Sequence, residues 1–495
     1  MLSHLFYGLA KVLRPDIFLL LLLGVWGGIA IGSLPGLTAT MGVALLLPVT
    51  FGMEPEAGML LLLGIYIGAI YGGSVSAILL RTPGTPAAAA TAMDGFEMAK
   101  RGEAGKALGI STTASFIGGI VSTLMLITIS PILAKIALKF SAPEYFALAI
   151  FGLSIISSIS GKSPLKGIIV GVFGLLVSTI GMDPMTSYPR FTFGNVNLLN
   201  GFSFIPVMIG LFGLAQALYN VEESEQAVKI QQKVEGVLSA LSEIKRILGT
   251  AVRSAVMGTF IGIIPGAGAD IAAFVSYNEA KRWSKHPEKF GTGIPEGIAA
   301  PEAGNNGVTG GAMIPLLTLG IPGDAVTAIL LGALMIQGLQ PGPLLFKEHG
   351  ELVYTIFSGL LVGNVLMLIS GLLGIRLFIK VLSVPKNILT PLIFVLCIVG
   401  SYAMNNSFFD VGVMLASGVI GYIFMKLDFP ASPIILALIL GPMAESNLRR
   451  SLIMSGGNYS IFFTRPISAF LLTLALITFI TPFLKDFIKR KNLGN

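Results

Sequence analysis

Four Pro-Gly pairs concentrate the polar chemistry of this chain: Pro35-Gly36, Pro83-Gly84, Pro265-Gly266 and Pro322-Gly323. Proline removes a backbone donor and clashes with the preceding turn, and glycine lets the backbone change direction. Inside an apolar run such a pair marks a broken or re-entrant helix. Four short apolar stretches follow the pairs directly, at about 37–53, 85–98, 267–280 and 324–338. A break within a bilayer frees N–H and C=O groups that lipid cannot satisfy. The half-helix opening after it carries partial positive charge and unpaired donors at its N-terminus, which suits an anion, above all a carboxylate. For any single pair a packing kink is the competing explanation.

Hydroxyls and charges cluster beside these breaks. Thr38 and Thr40 follow the first; Thr82 and Thr85 flank the second, with Ser74 and Ser76 one to two turns before it. Such hydroxyls either line a site or bond back to their own helix. Asp270 follows the third break and Asp324 the fourth. Intramembrane carboxylates are costly and functional by default, so each is a candidate to bind a coupling cation or carry a proton. The alternative is an N-cap, since each falls in a first helical turn. Arg81, at the end of an apolar span, is suited to clamp a substrate carboxylate, to pair with a protein carboxylate, or to snorkel. The segment Pro301-Glu302-Ala303-Gly304-Asn305-Asn306 is expected to precede a helix with Gly310 and Gly311. Glu302 can hold a cation there, with Asn305 and Asn306 as polar ligands, or the segment is an interfacial capping turn.

Other chemistries are poorly supplied. Gly262 to Gly268 lacks the Lys-Ser/Thr ending of a phosphate-binding loop. No Ser/His/Asp set or zinc-ligand spacing occurs; His4, His286 and His349 lie far apart, and Cys397 is alone. No metal and no cofactor is expected apart from a coupling Na⁺ or H⁺. Among enzymes, ATP hydrolysis is excluded most clearly.

The elements that position these residues are membrane helices. Hydrophobic residues make up 54% and charged residues 12% of 495, with a mean hydropathy of +0.85. A soluble domain carries roughly 25% charge, so lipid must solvate most of the surface. The fold expected is an all-α polytopic membrane protein with about a dozen spans and no soluble domain. The net charge of +7 sits mainly at helix ends and short loops, a membrane-topology pattern and not a nucleic-acid one. Lys11 and Arg14 before Ile17–Ile31 resemble a signal peptide, but without a small-x-small cleavage site the run reads as a retained first helix.

The two halves echo each other. Pro35-Gly36 recurs 230 positions later, Pro83-Gly84 recurs 239 later, and Ser141-Ala142-Pro143 matches Ser383-Val384-Pro385. The organisation expected is a first membrane repeat (1–220), an exposed linker (221–246), a second repeat (247–455), and an extra C-terminal helix with a basic tail (456–495). The loop with Lys100, Arg101 and Lys106 is basic while its counterpart has only Lys347 beside Glu348. The loop with Glu54 and Glu56 is acidic while its counterpart holds Lys281, Arg282, Lys285 and Lys289. Opposite charge bias implies inverted repeats, although the loops near Lys139 and Lys380 are both basic.

At these motifs the chain resembles the large membrane subunit of the tripartite tricarboxylate transporters, the TctA family. The residues are Gly32-Ser33-Leu34-Pro35-Gly36-Leu37-Thr38, Thr82-Pro83-Gly84-Thr85-Pro86, Met93-Asp94-Gly95 and Ile264-Pro265-Gly266-Ala267-Gly268-Ala269. Pro301 to Asn306, Pro315 to Gly323 and Gly338 to Pro343 continue the match, which covers nearly the whole chain. The resemblance implies ion-gradient-driven uptake of a small carboxylate across a bacterial or archaeal cytoplasmic membrane. It also implies a small four-helix membrane subunit and an extracytoplasmic substrate-binding protein as partners. Arg81 stands where the family commonly has Asn, and Asp324 where it commonly has Ser, so citrate does not carry over as the substrate. The competing functions are a standalone permease or exporter, a channel, and a membrane-embedded enzyme, for which no constellation is present.

Overall fold

The computed structural model describes residues 2–154, 156, 164–222, 234–382 and 386–493. Residues 223–233 of the expected linker and Ser383-Val384-Pro385 lie outside the described residues. The chain divides into two compact units, one of Met1–Ala134 with Gln216–Met404, the other of Lys135–Ala215 with Asn405–Asn495.

The first unit contains all four breaks. Its helices are α1 (Leu2–Val12), α2 (Pro15–Ser33), α3 (Ala39–Leu46), α4 (Pro55–Leu80), α5 (Thr91–Met98) and the start of α6 (Ala104–Ala137). The second half of the sequence adds α7 (Ile244–Ile263), α8 (Ala269–Trp283), α9 (Pro295–Leu319), α10 (Ala325–Ile336) and α11 (Gly350–Leu373). Prolines at the first turn of α2, α4 and α9 cost no hydrogen bond there. The Pro-Gly pairs lie between helices, as expected. Gly36 (φ +87) and Gly266 (φ +80) adopt the left-handed backbone that turns the chain back.

Small residues set the packing. A Cβ on Gly24, Gly28 or Gly32 of α2 would run into the carbonyl oxygens of Leu61, Ile65 and Ala69 on α4. Gly64, Gly68 and Gly72 of α4 face those of Leu21, Val25 and Ile29 in return. Close backbone approach of this kind is how helices associate where lipid supplies no hydrophobic drive. The rising numbers on both sides show that α2 and α4 run parallel, so α3 must return the chain between them. The second half repeats four of these six contacts, with Ser254 and Ala303 standing at the positions that correspond to Gly24 and Gly64. Gly258 meets Gly304, Gly262 approaches Val308, Gly307 meets Ala255 and Gly311 meets Thr259, making α7 and α9 parallel with α8 returning. Each partner is the first-half residue shifted by 230 on α2/α7 or 239 on α4/α9.

Helix directions between the halves follow from side-chain contacts. Tyr71 meets Thr112 and Ser74 meets Ser111, so α4 and α6 are antiparallel. Gly118 packs on Ala303 and Gly310 on Ser122, so α6 and α9 are parallel. The equivalent helices α4 and α9 therefore run in opposite directions.

In the second unit, helices Ala142–Ser154, Pro164–Ser178, Phe408–Lys426, Ser432–Met454 and Pro466–Leu493 accompany a hairpin that pairs Gly181–Met182 with Pro189–Arg190. Beside it, Arg190 and Arg449 both pair with Glu445 (2.7 Å each), and Arg449 also reaches Asp183 (2.8 Å).

Two expectations are corrected. Among the described residues seven helices, not about a dozen, are long and apolar enough to cross a membrane. Several expected spans are short or polar: α9 carries Glu302, Asn305 and Asn306 with Pro301 and Pro315 in its interior. For the same reason Pro301 to Asn306 is not a turn before a helix. It lies in the second to fourth turns of α9, which begins at Pro295.

Candidate functional site

Glu302 is the centre of a buried polar cluster. It is fully enclosed, and one carboxylate oxygen accepts from the Thr91 hydroxyl of α5 (2.5 Å), the other from Ser115 of α6 (2.9 Å). Asn305 Nδ2 lies 3.4 Å from the first oxygen and also donates to the Ala87 carbonyl (3.1 Å). Asn306 Nδ2 donates to Asn305 Oδ1 (2.8 Å) and to the Glu302 carbonyl (3.0 Å), the latter contact lying one helical turn back. Asn306 Oδ1 is buried with no protein partner. Nearby on the same α4–α6 seam, Ser111 donates to Ser74 (2.6 Å). Most of these groups are hydroxyls, which can donate to a bare carboxylate or turn lone pairs outward.

A second buried carboxylate sits at the fourth break. Asp324 caps α10: its Oδ1 accepts from Thr327 N (2.8 Å) and the Thr327 hydroxyl, which in turn accepts from Asp324 N (2.9 Å). The N-cap alternative therefore holds, and something is added to it. The Tyr66 hydroxyl of α4, itself fully buried, donates to Asp324 Oδ2 at 2.5 Å. Tyr66 and Asn305 are counterparts 239 positions apart, and each reaches across to the other half's second break, Tyr66 to Asp324 and Asn305 to Ala87.

The other expected residues fall as follows. Gly84 and Gly323 are buried, and a Cβ on either would strike the carbonyl oxygen of the corresponding glycine, Gly32 or Gly262. Gly266 N–H donates to the Gly323 carbonyl (2.5 Å), so the Pro265-Gly266 and Pro322-Gly323 turns touch. Pro83 and Pro35 are half-buried, Pro265 and Pro322 buried. Thr38 caps α3, accepting from Met41 N (3.1 Å), and Thr85 Oγ1 is buried without a partner. Ser74 bonds back to the Tyr71 carbonyl (2.8 Å). Arg81, Thr82 and Asp270 are not brought to the cluster. Arg81 ends α4 in the left-handed region (φ 59), exposed, with its guanidinium 5.7 Å over the Phe96 ring. Thr82 is exposed beside it, and Asp270 is exposed in the first turn of α8.

Thr91, Ser115 and Tyr66 were not singled out from sequence, and Asp94 appeared there only within the Met93-Asp94-Gly95 motif. Thr91 and Ser115 read as ordinary helical hydroxyls until folded against Glu302. Asp94 is fully buried and gathers the backbone N–H groups of Gly291 (2.9 Å), Gly293 (2.7 Å) and Ile294 (3.0 Å), with the Tyr277 hydroxyl (2.8 Å). Arg101 reinforces that junction through the Thr292 and Gly293 carbonyls (2.6 Å each). For Asp94 the available signal was a carboxylate, joined only by Glu97, in the mostly apolar stretch 85–98.

Broken helices in two repeats, around enclosed carboxylates and amides, define a multi-pass membrane protein of the transporter class. The chain belongs to the tripartite tricarboxylate transporter TctA family, whose family model matches residues 18–436. It is 40% identical over 477 residues, 96% of this chain and 95% of the relative, to an uncharacterized 52.8 kDa protein in the TAR-I ttuC' 3' region of Agrobacterium vitis. It is 38% identical over 235 residues to an uncharacterized protein in the TAR-II ttuC' 3' region of the same organism, 48% of this chain and 97% of that one. No solved structure matches it.

Proposed function

We propose that the chain is the large membrane subunit of an ion-gradient-driven, binding-protein-dependent carboxylate importer, and that Glu302 carries the coupling cation, Na⁺ or H⁺. One observation carries this: a wholly enclosed carboxylate faced by Thr91, Ser115 and Asn305 from three separate elements. An isolated charge in such a place is prohibitive, so it must be protonated, bound to a cation or surrounded by donors. Rotatable hydroxyls serve the bare carboxylate and, turned about, the cation-bound one. The idle Asn306 Oδ1 offers a further neutral oxygen, the ligand type that hard cations prefer. Asp324 is a second carboxylate of the interior, whereas exposed Asp270 is a weaker candidate.

The two repeats are read as inverted. Support comes from the opposite directions of α4 and α9 and from Tyr66 and Asn305, counterparts that each reach the segment after the other half's second break, at Asp324 and Ala87. The substrate carboxylate is assigned to the region of the four breaks, and the cytoplasmic membrane to the location. Family membership supports a small four-helix subunit and an extracytoplasmic binding protein as partners. The test is uptake by the chain reconstituted with these partners, with ion and substrate varied independently. Glu302→Gln is expected to remove the response to the Na⁺ or pH gradient. Full retention of that response by the folded variant would refute the assignment.

A further inference from the structure

A groove in the second unit is built unlike the chain's own helix contacts. It lies between the helices Pro164–Ser178 and Phe408–Lys426 and has a volume of about 460 Å³, that of a small-ligand cleft. Ile169, Val170 and Phe173 form one wall, Ile420, Ile423 and Phe424 the other, and among the described residues the lining is wholly apolar. The small residues of both helices are used elsewhere. A Cβ on Gly174 would meet Ile434 and Ala437, and one on Gly418 or Gly421 would meet Leu211, Leu214 or Ala215. Helices that associate in lipid approach closely over small residues. The groove keeps only bulky ones, so it suits a flexible chain better than a further helix.

One end of the groove carries cations. Lys166, in the first turn of its helix, donates to the Leu427 carbonyl (2.6 Å) and lies 5.0 Å over the ring of Phe429, which lines the groove. An ammonium has three donors, so one carbonyl leaves the others for a second acceptor. Lys426 ends the facing helix, its ammonium 5.7 Å over the Tyr422 ring, and Asp428 is the exposed acid beside it. Two cations against one acid leave an excess of positive charge where an apolar span ends, the level of lipid headgroups.

We propose that this groove binds one anionic phospholipid, with an acyl chain along Phe173 and Ile423 and the phosphate on Lys166. From Lys166 to Phe173 is about 10 Å of helix, so the groove holds the part of the chain nearest the headgroup. Apolar burial holds the chain, and a charge-assisted hydrogen bond selects the phosphate. Basic pockets between membrane helices bind anionic headgroups in this way.

Native mass spectrometry of the purified full-length chain, titrated with dioleoyl phosphatidylglycerol or dioleoyl phosphatidylcholine, counts bound lipids and gives each half-saturating concentration. One tightly held phosphatidylglycerol is expected, half-saturating at about a tenth of the concentration phosphatidylcholine needs. Lys166→Gln should remove most of that preference and leave phosphatidylcholine binding as it is. Ile420→Trp, which fills the inner end of the groove, should weaken both lipids about tenfold. Glycerol 3-phosphate, the anion without the chain, should not displace the lipid even at about hundredfold excess. Equal affinity for the two lipids, or a preference that survives Lys166→Gln, would overturn the proposal. Displacement by glycerol 3-phosphate would do the same, since the site would then be one for free phosphate. A disulfide between two chains carrying Ile423→Cys in a Cys397→Ser background would place a second copy in the groove and overturn it as well.

Discussion

Thr91 donates to Glu302 at 2.5 Å although 211 positions separate them. The bond joins the half-helix after the second break to the long helix of the other repeat. Hydrogen bonds to a charged group are worth about 1.5–3 kcal/mol. Thr91→Ala and Ser115→Ala each remove a donor that stabilises the ion-free carboxylate, and are therefore each expected to lower the ion concentration for half-maximal uptake about tenfold or more, with substrate dependence little changed. Titrating uptake against Na⁺ and pH in reconstituted vesicles checks this. An effect on substrate alone would place these hydroxyls in a different site.

Gly84 and Gly323 are expected to be intolerant for a packing reason. A Cβ at either meets a carbonyl oxygen of the neighbouring long helix, Gly32 or Gly262. Overpacking costs about 1–3 kcal/mol. Gly84→Ala and Gly323→Ala should lower the melting temperature in detergent, and Val should be worse. Transport lost with stability intact would instead indicate that ligand approaches these turns directly.

Asp94 holds the 291–294 turn by three backbone donors and a tyrosine. Removing the acid strands those donors, each at a cost of about 1–3 kcal/mol. Asp94→Ala should make Ile294→Cys, at a buried position of the turn, react at least about tenfold faster with a water-soluble maleimide, since loss of about 1.4 kcal/mol already opens a segment tenfold more often. Unchanged labelling would mean that Arg101 alone suffices to hold the turn.

Asp183 supplies a pH test in the second unit. The backbone N–H groups of Thr186 and Met185, with Arg449 beside them, hold its carboxyl below the usual carboxylate range. A lowered folded value means that the stabilisation is fully present above the unfolded value of about 3.9 and is lost as pH falls through the folded one. Acidification from about pH 5 to about pH 2 should therefore destabilise the wild type more than Asp183→Asn. Parallel melting curves for the two would contradict this.

The breaks and the doubling were legible because proline and glycine act locally and the offsets of 230 and 239 can be counted. Glu302, Asn305 and Asn306 were legible as polar residues in a costly place. Their helix was not, because Pro301 reads as a boundary although α9 carries it in its interior. Arg81 was expected at a ligand, but its position as the left-handed C-cap just after α4 is set by where the chain turns, which residue type alone does not reveal. Thr91, Ser115 and Tyr66 acquire meaning only through partners 187 to 258 positions away, and no local pattern encodes such pairs.

The glycine seams have a mechanical consequence. Along α2–α4 and α7–α9 every Cβ position named above is already filled by backbone of the opposite helix. Sliding either pair by one residue would replace a glycine with a bulkier side chain at a spot that has no slack. Each pair therefore behaves as a stiff beam, and its hairpin tip travels with it. Compliance is left to the joints where one beam's side chains meet the other repeat: Tyr66 on Asp324, Asn305 on Ala87, Thr91 on Glu302. The joints that can give are the same ones that hold the buried acids, so a change of charge at either acid acts directly on the parts free to move.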